Sequence, residues 1–115
     1  MYDVVVIGAG PGGYVAAVRA AQHGMQVAVV EKDAPGGVCL NWGCIPSKNL
    51  IHQAEGFAAL KEMEAVGVMV DRSALDYAAV HRKSRDVVAT LTGGVSGLLK
   101  RNKVAYIQGT ARVTG

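Results

Sequence analysis

Cys39 and Cys44 are the only two cysteines of this 115-residue chain, and both lie in the run Gly-Gly-Val-Cys-Leu-Asn-Trp-Gly-Cys-Ile-Pro-Ser-Lys, from Gly36 to Lys48. Two thiols this close can hold a metal, sit inert in a core, or form a reversible disulfide. A structural zinc needs about four ligands, commonly a C-x2–4-C pair with a second pair elsewhere. Here the spacing is Cys-x4-Cys and His52 is the one histidine nearby, so no metal ligand is assigned. Inert burial would leave the pair without chemistry. A disulfide needs Cα atoms within about 7 Å, whereas residues five apart in a regular α-helix stand about 8.6 Å apart. A bonded pair must therefore interrupt the helix between its two sulfurs. Gly43 permits that interruption, and Pro46 suits the start of a helix but not its interior. Amides at a helix opening stabilise a thiolate and make a reduced pair reactive near neutral pH. Lys48 is placed to add a positive charge there or to reach a bound cofactor.

Upstream, Gly8-Ala9-Gly10-Pro11-Gly12-Gly13 matches G-x-G-x-x-G. The match gains weight from its context: it follows an apolar strand, opens a helix, and precedes an acid, Glu31, at the end of the next strand. Gly8 permits the tight turn, Gly10 lets a pyrophosphate approach the backbone, and Gly13 lets helix and strand pack closely. Amides at the helix start carry partial positive charge toward that pyrophosphate. Glu31 is suited to accept hydrogen bonds from both ribose hydroxyls, and an acid there disfavours a 2′-phosphate. The fingerprint indicates an adenine dinucleotide and does not by itself separate FAD from NAD.

The elements that must position these residues follow from periodicity. Asp3 to Ile7 is a continuous apolar run, expected as a strand buried on both faces. Gly8 to Gly13 reads as a turn and Tyr14 to His23 as a small-residue helix stopped by Gly24. Gln26 to Val30 reads as a second buried strand. Together these make a βαβ unit. A helix is expected from Pro46 to Val66 and a short extended piece from Val68 to Val70. Ser73 and Asp76 resemble a capping box opening a long helix over 73–101. Its apolar face would carry Leu75, Ala79, Val87, Leu91, Val95 and Leu98, with Gly93 and Gly94 weakening or bending it. Val104 to Gln108 and Ala111 to Val113 are expected as strands around Gly109. The fold class is α/β: a Rossmann-like parallel sheet flanked by helices.

Composition narrows the function classes. Half of the chain is hydrophobic, 18% is charged and Gly reaches 15, which suits close-packed helix on sheet rather than disorder. The net charge of +3 is mild. The basic runs His81 to Arg85 and Lys100 to Lys103 lack interleaved aromatics, so they read as helix surface and no nucleic-acid partner is expected. No apolar stretch is long enough for a membrane span and no signal peptide is evident, so a cytoplasmic, reducing setting is expected. In that setting a lone close cysteine pair points to redox activity or metal more than to a structural staple.

Combined, these motifs resemble the flavin-dependent pyridine nucleotide–disulfide oxidoreductases, and among them the dihydrolipoamide-oxidising branch. The resemblance rests on Val5 to Tyr14, Val30-Glu31-Lys32, Gly36 to Lys48, Leu91 to Val95 and Gln108 to Ala111, and so spans nearly the whole chain. Ile-Pro-Ser-Lys after the second cysteine is the specific part: glutathione-type relatives usually read Val-Pro-Lys-Lys, and mercuric reductases, the nearer competitor, Val-Pro-Ser-Lys. The resemblance implies FAD held at Gly8, Gly10, Pro11, Gly12 and Gly13, with its adenosine ribose on Glu31. Lys32, the Gly36-Gly37 turn and the adjoining Val38 and Cys39 would lie along the cofactor, with backbone near Ala111 at the adenine. Cys39 would exchange with the lipoyl disulfide, Cys44 would be the thiolate beneath the flavin, and Lys48 would sit near the flavin N5 edge. Trp42 stands where many relatives have Val and is read as a packing residue. His23, His52 and His81 match no catalytic histidine.

The same resemblance implies domains that these residues do not contain: the rest of the FAD domain, an NAD domain, and an interface domain bearing a His-Glu acid–base pair that acts across a homodimer. Residues 1–115 are therefore expected to be the N-terminal part of an FAD-binding domain, inactive alone. The implied partners of the intact protein are lipoyl domains of 2-oxoacid dehydrogenase complexes or of the glycine cleavage system. A sister disulfide reductase, or a non-catalytic nucleotide-binding or dimerising module, is the alternative.

Overall fold

The computed structural model describes residues 1–114, and the chain end at Gly115 lies outside them. Seven elements follow in order: β1 (Val4–Ile7), α1 (Pro11–Gln22), β2 (Val27–Glu31), α2 (Gly37–Asn41), α3 (Cys44–Ala65), α4 (Tyr77–Arg101) and β3 (Ala105–Gln108). The three strands form one sheet in the order β1-β2-β3. Both pairings are parallel, Val6 lying beside Val29 and Val29 beside Tyr106. The expected βαβ unit is therefore present, and a second, longer connection through three helices brings β3 to the far side of β2.

Side chains alternate along each strand, and here the alternation divides the sheet into a covered and an open face. Val4, Val6, Val27 and Val29 meet Ala17 and Val18 of α1 and Val95 and Leu99 of α4 in one core. On the other face Val5 and Ile7 are 54% and 60% exposed, and Ile107 is exposed as well. The expectation that β1 is buried on both faces is thus corrected. An apolar run signals two-sided burial only when helices cover both sides, and these helices cover one.

Several element boundaries also move. Helix α1 begins at Pro11 rather than Tyr14, with proline in its first turn. The fixed φ of proline suits that place, and its missing N–H would have had no partner there. At the far end Gly24 adopts φ +85° and donates to the Ala21 carbonyl, as a helix-ending glycine does. Helix α3 begins at Cys44, two residues before Pro46, because the first turn of a helix tolerates proline at any of its donor-free positions. The five residues of α2 were not expected as a helix, being too short for periodicity to register.

Helix α4 corrects two expectations. Its N-cap is Asp76, whose carboxylate accepts the Ala78 N–H at 2.8 Å, while Ser73 turns back to donate to Asp71. The capping box is therefore absent and the helix starts at Tyr77. Its buried face runs through Ser84, Val88, Val95 and Leu99. Of the expected stripe, Val95 is buried and Val87 and Leu98 are half-buried, whereas Leu75, Ala79 and Leu91 are exposed. Ser84, 1% exposed, shows why: a small residue lies as deep as Leu99, and size alone did not mark it. The helix passes unbroken through Gly93 and Gly94.

Val68 to Val70 and Ala111 to Val113 are irregular rather than extended strands. After β3, Gly109 takes φ +153° and donates to the Glu31 carbonyl, which ends the ladder there. Among the described residues no helix is long and apolar enough to cross a membrane.

Candidate functional site

At the carboxyl end of the parallel sheet, where open α/β folds bind ligands, the loops after all three strands surround a cleft of about 470 Å³. Gly8 and Gly10 form one wall, Glu31 and Lys32 another, Gly37 and Val38 a third, and Gly109 to Ala111 the last. Glycines allow these walls to meet. A Cβ on Gly13 would lie 1.9 Å from the Gly8 carbonyl oxygen, so α1 can rest on the first loop only with hydrogen there. Gly37, at φ +59°, packs so that a Cβ would come 2.7 Å from the Gly10 Cα, and the Gly36 N–H donates to the Ala9 carbonyl at 2.8 Å. The Gly36-Gly37 turn is in this way fastened onto the fingerprint loop. A Cβ on Gly10, by contrast, would meet no atom within 4 Å. Because Gly10 lines the cleft, a ligand backbone could approach there as the fingerprint requires.

Glu31 anchors the cleft. It is 8% exposed, accepts the Ala9 N–H on Oε2 at 2.8 Å and the Asp33 N–H on Oε1 at 2.9 Å. Burial pushes its pKa upward, but the backbone N–H groups of Asp33, Ala9 and Lys32 together outweigh it and hold the carboxyl below the ordinary glutamate value. The group is therefore ionised at neutral pH. It ties the tip of β2 to the glycine loop, and a carboxylate with two oxygens keeps further lone pairs for hydroxyls in the cleft.

The cysteines lie beside this cleft. Cys39 is in α2 and Cys44 opens α3, with the helix interrupted at Trp42 and Gly43. The interruption brings the two Cα atoms to 4.7 Å and the sulfurs form a disulfide. This is the distortion that the spacing demands of a bonded pair. Gly43 eases it, since a Cβ there would sit a tight 3.2 Å from the Val38 carbonyl oxygen. Cys39 is half-buried against the core, Cys44 is exposed, and Val38 links the cleft wall directly to Cys39.

Of the residues singled out from the sequence, Gly8, Gly10, Glu31, Lys32, Gly37, Val38 and Ala111 line the cleft. Pro11, Gly12, Gly13, Gly36 and Cys39 do not line it, and Lys48 is exposed one turn along α3 from Cys44. Asp33, Gly109 and Thr110 also line it and were not anticipated. Their signal was positional: each follows the end of a parallel strand. No group of three or more His, Cys, Asp or Glu residues gathers among the described residues.

Trp42 is not a packing residue. It is 64% exposed, its indole N–H donates to Asp33 Oδ2 at 2.9 Å, and the Arg85 guanidinium stands 5.0 Å from its ring centroid. Arg85 also donates to the Asn41 carbonyl at 2.7 Å. Asn41, buried, donates through Nδ2 to the Pro35 and Gly37 carbonyls. Between the two cysteines, Leu40 is thus packed in the core and Asn41 and Trp42 are hydrogen-bonded to their surroundings.

Comparison with known proteins agrees with this geometry. The dihydrolipoyl dehydrogenase of Staphylococcus aureus is 53% identical over 109 residues, covering 95% of this chain and 23% of the relative. That of Bacillus subtilis is 52% identical over 109 residues with the same coverage. That of Zymomonas mobilis is 46% identical over 114 residues, covering 99% of this chain and 24% of its own. The chain thus spans about a quarter of the length of these curated relatives. A family model described as pyridine nucleotide-disulphide oxidoreductase matches residues 2–115, and the chain belongs to that family.

Proposed function

We propose that this chain is the N-terminal flavin- and disulfide-bearing part of a dihydrolipoyl dehydrogenase, which oxidises dihydrolipoamide to lipoamide with NAD⁺ as final acceptor. The observation that carries the reading is the contiguity of Val38 and Cys39: a wall of the dinucleotide cleft is one residue from a disulfide. The fit of FAD to the cleft rests on the open approach at Gly10, the ionised Glu31 and the glycine contacts that shape the walls. Gly8 and Gly10 would face its pyrophosphate, Glu31 its ribose, and Ala111 its adenine. Bound FAD supplies the two-electron path from the reduced cysteines to nicotinamide.

The residues of this chain perform the sulfur chemistry. A thiolate of dihydrolipoamide attacks Cys39 Sγ, the Cys39–Cys44 bond breaks, and Cys44 leaves as a thiolate. The second lipoyl thiolate then attacks the lipoyl sulfur of the mixed disulfide, closing lipoamide and releasing Cys39. Two protons leave the substrate, two electrons remain on the cysteine pair, and the opening of α3 favours the thiolate at Cys44. The proton acceptor is assigned to the His-Glu pair of the homodimeric intact protein, since a base must come within hydrogen-bond reach of the thiol. Lipoyl domains of 2-oxoacid dehydrogenase complexes or of the glycine cleavage system, in the cytoplasm, are the partners this reading implies.

Mixing the full-length protein with dihydrolipoamide and NAD⁺ and following NADH tests the reading. Steady NADH formation is expected. Absence of NADH together with turnover of mercuric ion or another disulfide would move the protein to a sister reductase.

A further inference from the structure

The clasp around Trp42 has no part in the chemistry above, yet it holds the loop whose two ends are the reacting cysteines. We propose that Trp42, gripped by Asp33 and Arg85, is a positioning residue that keeps Cys39 and Cys44 together after reduction and so makes the pair a stronger reductant. The inference rests on the reading of the pair as a reversible disulfide.

Both anchors of the clasp are themselves fixed. Asp33 lies on the cleft rim, where Gln108 Nε2 of β3 donates to the carbonyls of Lys32 and Asp33 at 3.1 and 2.8 Å. Arg85 projects from α4 between the buried Ser84 and Val88. Trp42 bridges these two bodies by one hydrogen bond to a carboxylate and one guanidinium–ring contact, and Arg85 adds a bond to the carbonyl of the preceding Asn41.

The effect has a definite sign. In the oxidised protein the disulfide itself closes the loop, and the clasp adds little to closure. In the dithiol, only non-covalent contacts resist separation of α2 from α3, across a junction containing Gly43. The disulfide holds Trp42 on its anchors, so by reciprocity the anchors favour the disulfide. Loss of the clasp releases the dithiol to more conformations and shifts the equilibrium toward reduction. An exposed hydrogen bond and an exposed cation–π contact are each worth about threefold in an equilibrium constant. Their joint loss amounts to about tenfold, which for a two-electron couple is about 30 mV.

The test uses the full-length, flavin-loaded protein equilibrated in dihydrolipoamide–lipoamide mixtures, with free thiols trapped by alkylation and counted by mass. Trp42→Val removes both contacts and is expected to raise the midpoint of the couple by about 30 mV. Trp42→Phe keeps a ring for Arg85 and is expected to give about half that shift; Arg85→Gln keeps the indole bond to Asp33 but loses both the ring contact and the bond to the Asn41 carbonyl, and is expected to give at least half. Thermal unfolding of the oxidised variants is measured alongside, because a merely structural residue would lower that temperature and leave the couple in place. A Trp42→Val couple that stays at the wild-type value, or moves downward, overturns the proposal. If that variant does not fold, unmoved couples in Trp42→Phe and Arg85→Gln overturn it equally. A wild-type pair that never titrates overturns both this role and the dehydrogenase reading. A pair that titrates without NADH formation overturns the dehydrogenase reading alone, and the shift still decides the role of Trp42.

Discussion

Replacing Gly13 by alanine puts the packing of α1 on the fingerprint loop to a quantitative test. The added Cβ would lie 1.9 Å from the Gly8 carbonyl oxygen and 3.4 Å from Val6 Cγ1. Even the shortest separation real Cβ atoms show, 3.0 Å, requires a displacement of more than 1 Å. The obstacle is backbone and cannot rotate aside, so the cost belongs at the upper end of the overpacking range, about 3 kcal/mol. Alanine gains about 1 kcal/mol of helix propensity over glycine, which leaves a net loss of about 2 kcal/mol. The neighbouring Gly12→Ala is the internal control: a Cβ there meets nothing within 4 Å, so it gains propensity at no steric cost. Denaturant unfolding of the two variants should therefore differ by about 3 kcal/mol, Gly13→Ala being the less stable. Equal stabilities within about 0.5 kcal/mol, or the reverse order, would refute the close approach of α1 to Gly8 and with it the geometry of the cleft wall.

Two further outcomes follow from the site. Glu31→Gln leaves one of the two N–H donors, Ala9 or Asp33, facing an amide NH₂, so a loss of about 1–3 kcal/mol is expected at neutral pH. Because the folded-state pKa of Glu31 is depressed, the stability it contributes is present above the unfolded carboxyl pKa and lost as pH falls through the lowered folded value. The gap between wild type and Glu31→Gln in denaturation midpoints should accordingly close in acid, and a gap constant with pH would contradict this linkage. In the full-length flavin-loaded protein, Cys44→Ser should abolish the long-wavelength thiolate–flavin absorbance seen on partial reduction, while Cys39→Ser preserves or strengthens it; the opposite pattern would exchange the two roles.

The parts of the fold legible in the sequence were those where local chemistry and tertiary context agree. Gly8, Gly10 and Glu31 could be assigned to one cleft because glycine turns, helix openings and strand ends each carry their own residue signature. For a bonded pair, the break between Cys39 and Cys44 follows from helix geometry. What escaped was set by distant partners. The burial of β1 on one face depends on which helices cover the sheet, and no property of Val-Val-Val-Ile reports that. The face of α4 turned inward is decided by how closely Ser84 and Val88 approach neighbouring elements, so a stripe chosen by side-chain size found only part of it. Trp42 reads as a core residue by its composition, and only the placement of Asp33 and Arg85 in space turns it into a surface bridge. Ser73 met the pattern of a capping box, yet Asp71 two residues earlier offered a nearer acceptor.

The strand order of the sheet has a consequence for biosynthesis. Val4 and Val27 can pair as soon as the first βαβ unit has emerged from the ribosome, whereas Tyr106 reaches Val29 only after α2, α3 and α4 have been made. Throughout that interval the edge of β2 that β3 later occupies is unpaired, and the part of the core that Val95 and Leu99 of α4 later fill is open. Unpaired edges flanked by branched apolar side chains recruit other chains as readily as their own. The nascent polypeptide therefore passes through a stage in which a sheet edge and part of the core are uncovered. Slower translation of α3 and α4 would lengthen that stage.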